Sequence, residues 1–272
     1  MGLRPFRRIR LDQRRLPHVS GPVVIKIGGS TLGDADTTFA DVAEMARAGD
    51  VPIVVHGGGA EASRWLDAMS IPSRFERGLR VTDDLVLPVV VAVFAGLVNK
   101  RIVAAINGAG ASAVGLCGAD GRTLECVLMA PELGFVGEPV RVNTGAIVAL
   151  RAAGIVPVIG PIGCVPGDGA DQLVNVNADT VAGNVASAVG ARQLVFLTDI
   201  DGVRGPENTV AHSLSESLAR QWIADGTVGG GMIPKVEACL HALALGVPVQ
   251  IVDGRRAHSL RNLKGAGTTF TR

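Results

Sequence analysis

The sequence predicts an α/β fold, a three-layer αβα sandwich around a mainly parallel, open sheet. Three observations predict it. Short β-branched runs alternate with helical patterns along the chain. The runs are apolar almost throughout, as strands covered on both faces are. Glycine clusters fall at the carboxyl ends of these runs, where ligands bind in such sheets.

Residues 23–27 (Val-Val-Ile-Lys-Ile) and 52–55 (Pro-Ile-Val-Val) read as the first two strands. A helical pattern follows each, over 38–48 and 61–69. A long helix then starts from Asp83. Its apolar stretch 85–98 contains Pro88, whose missing N–H predicts a kink. Residues 113–116 form a further run, 145–153 a helix and 156–159 a strand. Residues 178–189 make a helix of small residues and 193–198 a buried strand. Residues 234–245 form the last helix and 248–252 the last strong strand. Residues 1–20 stand apart as a basic arm, with Arg4, Arg7, Arg8, Arg10, Arg14 and Arg15 against the single acid Asp12. The arm reads as a solvated tail, as an assembly arm that docks on another subunit, or as a transit peptide. The remainder divides into an N-terminal lobe (21–190) and a C-terminal lobe (191–272) that share one sheet.

Composition narrows the function. A chain of 272 residues buries enough surface to need no disulfide or metal staple. Charged residues are 19%, below the usual ~25%, so more of the surface than average is apolar or buried between subunits. Net charge is +1, which gives no field for nucleic acid. Aromatics are 3% with no tyrosine, leaving few platforms for stacking bases. The apolar stretch 85–98 is shorter than the ~18–20 residues of a membrane span, and no secretory segment opens the chain. Cys117, Cys126, Cys164 and Cys239 form no CxxC pair and read as reduced core residues of a cytoplasmic protein, with no metal site.

The chemistry sits in the glycine loops. Lys26-Ile27-Gly28-Gly29-Ser30 leaves the first strand and His56-Gly57-Gly58-Gly59 the second. Each sets bare backbone N–H groups at a helix start, where the dipole favours an anion. Either loop alone would be an ordinary turn; two at successive strand ends, with a lysine in the first, point to an anionic ligand. Neither matches GxxxxGK[ST], nor GxGxxG with its acidic partner. Lys26 is costly at the end of an apolar strand unless it serves an anion. Lys235 follows Gly229-Gly230-Gly231-Met232-Ile233-Pro234 and meets the unfavourable end of the helix dipole, which a bound anion offsets. Asn175-Val176-Asn177-Ala178-Asp179 opens a helix, where Asn and Asp serve either as caps or as site residues. His56 reads as a positioned loop histidine, and His212, His241 and His258 as surface residues.

Taken in order, the segments 26–29, 56–59, Gly-Leu-Arg-Val-Thr (78–82), Asn-Val-Asn-Ala-Asp (175–179), Thr198-Asp199 and Gly-Met-Ile-Pro-Lys (231–235) form a set. It resembles the amino acid kinase superfamily, and its acetylglutamate kinase branch in particular. Asn99-Lys100, residues 133–137 and Gly-Ala-Gly-Thr (265–268) extend the resemblance over about 23–269. The resemblance implies phosphoryl transfer from ATP, with Mg²⁺ carried by the nucleotide, to the side-chain carboxylate of N-acetyl-L-glutamate, a step of arginine biosynthesis. It implies that Lys26 and Lys235 stabilise the transferring group, with Gly28 and Gly29 beside it and Asp179 orienting both lysines. Gly58 and Gly59 would cradle the acceptor, Arg80 would grip its α-carboxylate and Asn175 would bind it too. Thr198, Asp199, Asp201, Gly202 and Met232 would line the nucleotide side. The N-terminal lobe would thus take the acceptor and the C-terminal lobe ATP.

The chain departs from that pattern at Pro88 and Val91, where such proteins commonly carry acids, and at Leu97, where lysine is common. The helix is therefore apolar nearly all round, which implies burial and, by resemblance, a homodimer formed through residues 83–98. The basic arm occupies the place of the helix that joins dimers into hexamers in arginine-inhibited relatives. The acid those relatives carry before the last Gly-x-Gly-Thr is missing from residues 259–264, which argues against such inhibition. Two rival readings stand beside this one: a kinase for carrier-linked aminoadipate, and a catalytically silent homologue that senses an amino acid or nucleotide. The first needs a basic stripe for an acidic carrier, which the body of the chain lacks. The second is disfavoured by the presence of Lys26, Lys235 and Asp179.

Overall fold

The computed structural model describes residues 21–28 and 37–272; the basic arm and Gly29 lie outside them. The chain opens with β1 (Val23–Ile27), α1 (Thr38–Arg47), β2 (Ile53–His56) and α2 (Gly59–Ala68). A small hairpin follows, β3 (Phe75–Glu76) and β4 (Leu79–Arg80). Next come α3 (Val86–Val91), a π-helical turn (Ala92–Val98) and α4 (Asn99–Gly108), then β5 (Ala113–Leu116), β6 (Leu124–Leu128) and β7 (Gly137–Val142). The middle of the chain forms α5 (Gly145–Ala152), β8 (Val156–Ile159), β9 (Ile162–Val165), β10 (Gln172–Asn175) and α6 (Ala178–Ala188). It closes with β11 (Gln193–Thr198), β12 (Ser213–Ser215), α7 (Glu216–Ala224), α8 (Met232–Ala244), β13 (Val249–Asp253) and β14 (Thr268–Thr271).

The main sheet has eight strands in the order β12-β14-β13-β11-β1-β2-β8-β5. The run from β13 to β5 is parallel, and β14 turns antiparallel against β13. Helices cover both faces. Along β1 the side chains alternate, as a strand requires. Val23, Ile25 and Ile27 join the core that holds Val42 of α1 and Ile102 and Ile106 of α4. Val24 joins the opposite core, with Val181 and Val185 of α6 and Val236 and Leu240 of α8. Lys26 shares the Val24 face, so its amine is directed toward α6. The chain runs from β1 to β2 on one side while β11 lies on the other. That makes the carboxyl end of β1 a topological switch point, the crevice where α/β sheets bind ligands.

A second sheet, β10-β9-β6-β7, was not legible as a pattern; its β7 packs on α6 and its β10 on α3. Isolated bridges Thr82–Gly134 and Val136–Asn175 tie it to the hairpin side of the crevice. Three of the four cysteines are buried and all four are free thiols.

The expected kink at Pro88 does not occur there. Pro88 falls in the first turn of α3, so its missing N–H costs one bond at the helix start, just after the Leu87 N–H bond to the Asp83 carbonyl at 2.9 Å. The irregularity lies instead in the π-helical turn Ala92–Val98. Together Val86–Gly108 makes a 23-residue helical stretch, long and apolar enough by length and composition to cross a membrane. Its inward residues Val90, Val93, Ile102 and Ile106 are core residues of the α/β body. Less than half of its most apolar window is buried, and on its outer side Pro88, Ala92 and Leu97 share an apolar recess with Trp65 and Met69 of the α2 region.

Candidate active site

Two lysine–carboxylate pairs stand at neighbouring strand ends. Lys26 Nζ lies 2.7 Å from Asp179 Oδ1, with the lysine side chain only 14% exposed. Lys235 Nζ donates to Asp199 Oδ1 at 2.8 Å. Asp199 directly follows β11, the parallel neighbour of β1. The Lys235 ammonium holds the Asp199 carboxyl below the usual carboxylate range. Asp179 therefore orients Lys26, while Lys235 has its own partner; the expectation that one aspartate holds both lysines is corrected. The partner it takes, Asp199, stands one residue past β11. Cys239, one turn beyond Lys235 on α8, is fully buried within electrostatic reach of Asp179 and Lys26, and burial pushes its thiol up.

The Asn-Val-Asn-Ala-Asp segment resolves into separate roles. Asn177 is the cap of α6, its side chain accepting from the Asp179 N–H at 2.8 Å and the Thr180 N–H at 3.1 Å. That frees Asp179 for Lys26. Asn175, at the end of β10, is 8% exposed and donates to Thr82 Oγ1 at 3.0 Å.

A cavity of about 130 Å³ opens between the glycine loop and the hairpin. Gly57, Gly58 and Gly59 line it together with Arg80, Asn175 and Ala178, the last adjacent to Asp179. The loop is anchored by the Gly57 N–H donating to the Ile27 carbonyl at 3.1 Å, which ties it to β1. Arg80 is 6% exposed. Its guanidinium donates to the Gly59 carbonyl at 2.9 Å, to Ser63 Oγ at 2.8 Å and to Ser73 Oγ, and stacks 4.6 Å over the Phe75 ring. Burial pulls its pKa down, with Asp67 pushing back. Three of its five N–H donors are thus used, which leaves two for a ligand. The recess is mainly apolar, with Phe75, Phe94, Val136 and Val176 on its walls, and Arg80, Asn175 and the glycine loop supply its polar groups.

The remaining expected residues sit on the C-terminal side of the crevice. Thr198 ends β11 at 7% exposure, its hydroxyl donating to the Ile200 carbonyl at 3.3 Å. Asp201 pairs with Arg204 at 2.7 Å. Gly202, at φ +143°, is a packing requirement: a Cβ there would lie 2.6 Å from Val210 and 2.8 Å from Thr268. Met232 opens α8 after the glycine stretch, and no atom lies within 4 Å of a Cβ built on Gly230 or Gly231. A separate cavity of about 400 Å³ lies behind Asp201, lined by Asp253, Arg256, His258 and Lys264. His258 is paired there rather than free on the surface: its Nδ1 lies 2.8 Å from Asp41 Oδ1. Gly28 immediately follows β1.

Sequence reasoning missed Ser63, Ser73 and Phe75, which hold Arg80, and Phe94, which stands behind the glycine loop; Asn99, noted only as part of the resemblance, stands there too. Serines and phenylalanines carry no motif of their own; only the site they surround identifies them.

The model of the amino acid kinase family matches residues 21–253. An acetylglutamate kinase of Dehalococcoides mccartyi is 43% identical over 255 residues, covering 92% of this chain and 94% of that protein. An acetylglutamate kinase of Cereibacter sphaeroides is 44% identical over 254 residues, covering 90% of this chain and 86% of that protein. Among solved structures, smu.665 from Streptococcus mutans superposes with a TM-score of 0.79 at 25% identity, covering 93% of this chain and 99% of that one. Fold, crevice and sequence together show that the chain belongs to the amino acid kinase family, where it groups with the acetylglutamate kinases.

Proposed function

We propose that the protein transfers the γ-phosphoryl group of ATP to the side-chain carboxylate of N-acetyl-L-glutamate, giving N-acetyl-L-glutamyl 5-phosphate and ADP, in arginine biosynthesis. One observation carries the reading: a recess lined by Arg80, Asn175 and the Gly57–Gly59 loop abuts the Lys26–Asp179 pair at the switch point of the sheet.

In the reaction a carboxylate oxygen forms a bond to the γ-phosphorus as the bond to the ADP oxygen breaks, and the electron pair leaves with ADP. Two anions must meet, so positive charge and positioning carry the catalysis. Arg80 binds the acceptor's α-carboxylate, and Asn175 and the amides of Gly58 and Gly59 hold the rest of it. Lys26 neutralises the transferring group from the β1 side and Lys235 from the α8 side. Each ammonium has three donors, so its aspartate leaves two for phosphoryl oxygens. Gly28 and Gly29 are assigned to the transferring group by resemblance; of the two, Gly28, directly after β1, is among the described residues. Thr198, Asp199, Asp201, Gly202 and Met232 border the nucleotide. Residues 21–190 thus serve the acceptor and residues 191–272 ATP. Asp179, Asp199 and Asp201 are each engaged by a lysine or arginine, so Mg²⁺ would be held through the nucleotide's phosphates. When bound, it neutralises charge on the phosphate oxygens.

The assay is ADP release with N-acetylglutamate against glutamate, aspartate and aminoadipate. Turnover with N-acetylglutamate and little with the others is the expected result. Equal turnover with glutamate, or none with N-acetylglutamate, overturns the reading.

The same reading includes a homodimer. An apolar recess of about 300 Å³, lined by Trp65, Met69, Pro88, Ala92 and Leu97, runs along the exposed side of the long helix. Contiguous apolar surface of this kind marks an interface. Light scattering is expected to give a dimer at low micromolar concentration, and a stable monomer contradicts it. The basic arm, outside the described residues, is the candidate link from dimer to hexamer. The four free thiols support a reducing, cytoplasmic setting.

A further inference from the structure

Behind the glycine loop lies a buried polar network that the phosphoryl transfer does not touch. His56, the last residue of β2, is 1% exposed, and Asn99, the first residue of α4, is fully buried. His56 Nδ1 lies 2.7 Å from the Gly57 carbonyl oxygen. A carbonyl only accepts, so Nδ1 carries the proton. Nε2 is then an acceptor, and Asn99 Nδ2 donates to it at 3.1 Å. The other amide hydrogen of Asn99 goes to the Val158 carbonyl at 3.0 Å, and its Oδ1 accepts from Lys100 Nζ at 2.9 Å. The partners leave one consistent proton arrangement.

The long helix is distorted where it meets this network. In an α-helix, residues five apart lie about 140° apart around the axis. A π turn, with its wider repeat, brings them toward one face. The turn Ala92–Val98 carries Phe94, and Asn99 follows it. The Phe94 ring lies 2.9 Å from where a Cβ on Gly58 would be, while Asn99 reaches His56. Both side chains therefore back the same loop.

We propose that His56 and Asn99 form a positioning pair for the acceptor loop: a neutral imidazole, protonated at Nδ1, holds the Gly57 carbonyl inward. Across a trans peptide, that carbonyl and the N–H of Gly58 point in opposite directions. Locking the carbonyl against His56 turns the Gly58 N–H outward, into the cavity that Gly58 and Gly59 line. His56 does no acid–base work. Burial holds its pKa down to about 4, with the Gly57 hydrogen bond opposing and the nearby Lys100 ammonium adding to the depression. The ring is thus neutral throughout the neutral range. This inference rests on the kinase reading for its kinetic consequences, but not for its proton arrangement.

Two measurements test it. His56→Phe removes both hydrogen bonds, whereas His56→Asn keeps a donor near the Nδ1 position. His56→Phe is expected to raise the acceptor's KM about tenfold to a hundredfold through loop misplacement, with the KM for ATP little changed. His56→Asn is expected to recover part of the loss. A wild-type acceptor KM in His56→Phe, or an equal rise in both KM values, overturns the proposal. Nitrogen-15 NMR of the wild-type protein needs neither substrate nor a foldable variant. It is expected to show His56 protonated at Nδ1 and bare at Nε2 over about pH 6 to 8. An Nε2–H tautomer or an imidazolium in that range overturns it, whatever the substrate proves to be.

Discussion

Lys26→Ala is expected to lower turnover by about 10²–10³-fold, the loss typical of one preorganised donor at a developing charge, while the acceptor's KM changes little. The amine is 14% exposed and directed by strand alternation onto Asp179. Removal also leaves Asp179, in the first turn of α6 and only 24% exposed, without its counter-charge, which destabilises the fold as well. Lys235→Ala is expected to cost turnover on the same scale but to leave thermal stability nearly unchanged. Its pair with Asp199 is 33% and 44% exposed, and such solvent-screened pairs add little to folding. Steady-state kinetics beside thermal melts separate the two. Near-normal turnover in either variant contradicts the role assigned to that lysine.

Arg80→Lys is expected to act on the other substrate. Lysine keeps the charge but loses the fork that reaches the Gly59 carbonyl, Ser63 and Ser73 together. It also loses the planar stack on Phe75. A hydrogen bond to a charged group contributes about 1.5–3 kcal/mol, so the acceptor's KM is expected to rise about tenfold to a hundredfold. Turnover at saturation is expected to fall less, because the reacting phosphoryl group sits at the lysines. An unchanged acceptor KM contradicts the assignment of Arg80 to the α-carboxylate.

The parallel sheet was legible because its strands are buried on both faces. Residues 23–27, 156–159 and 193–198 are apolar runs bounded by turns, and they are strands at those bounds. The second sheet left no such trace. Its strands are 4 to 6 residues long, with exposed positions such as Val127, Leu128 and Val140 beside buried ones, and Pro139 lies inside β7. The π turn was equally silent, since no residue in 92–98 forbids a regular α-helix; tertiary contacts at Phe94 and Asn99 accompany it. In the site, glycine loops and the lysine at a strand end pointed to an anion without any fold. The resemblance supplied Arg80 and Asn175. Partnerships across the chain were not legible: Lys235 with Asp199, or His258 with Asp41, 217 positions away, depend on packing that local pattern does not encode.

The central claim is that amines from two sides of one crevice meet the group in flight. A crystal structure with N-acetylglutamate, ADP and a planar aluminium fluoride mimic of the phosphoryl group tests it most directly. Lys26 Nζ and Lys235 Nζ are both expected within about 3 Å of the mimic's fluorines. A mimic contacted by neither amine, or by one with the other still turned away on its aspartate, would contradict the account.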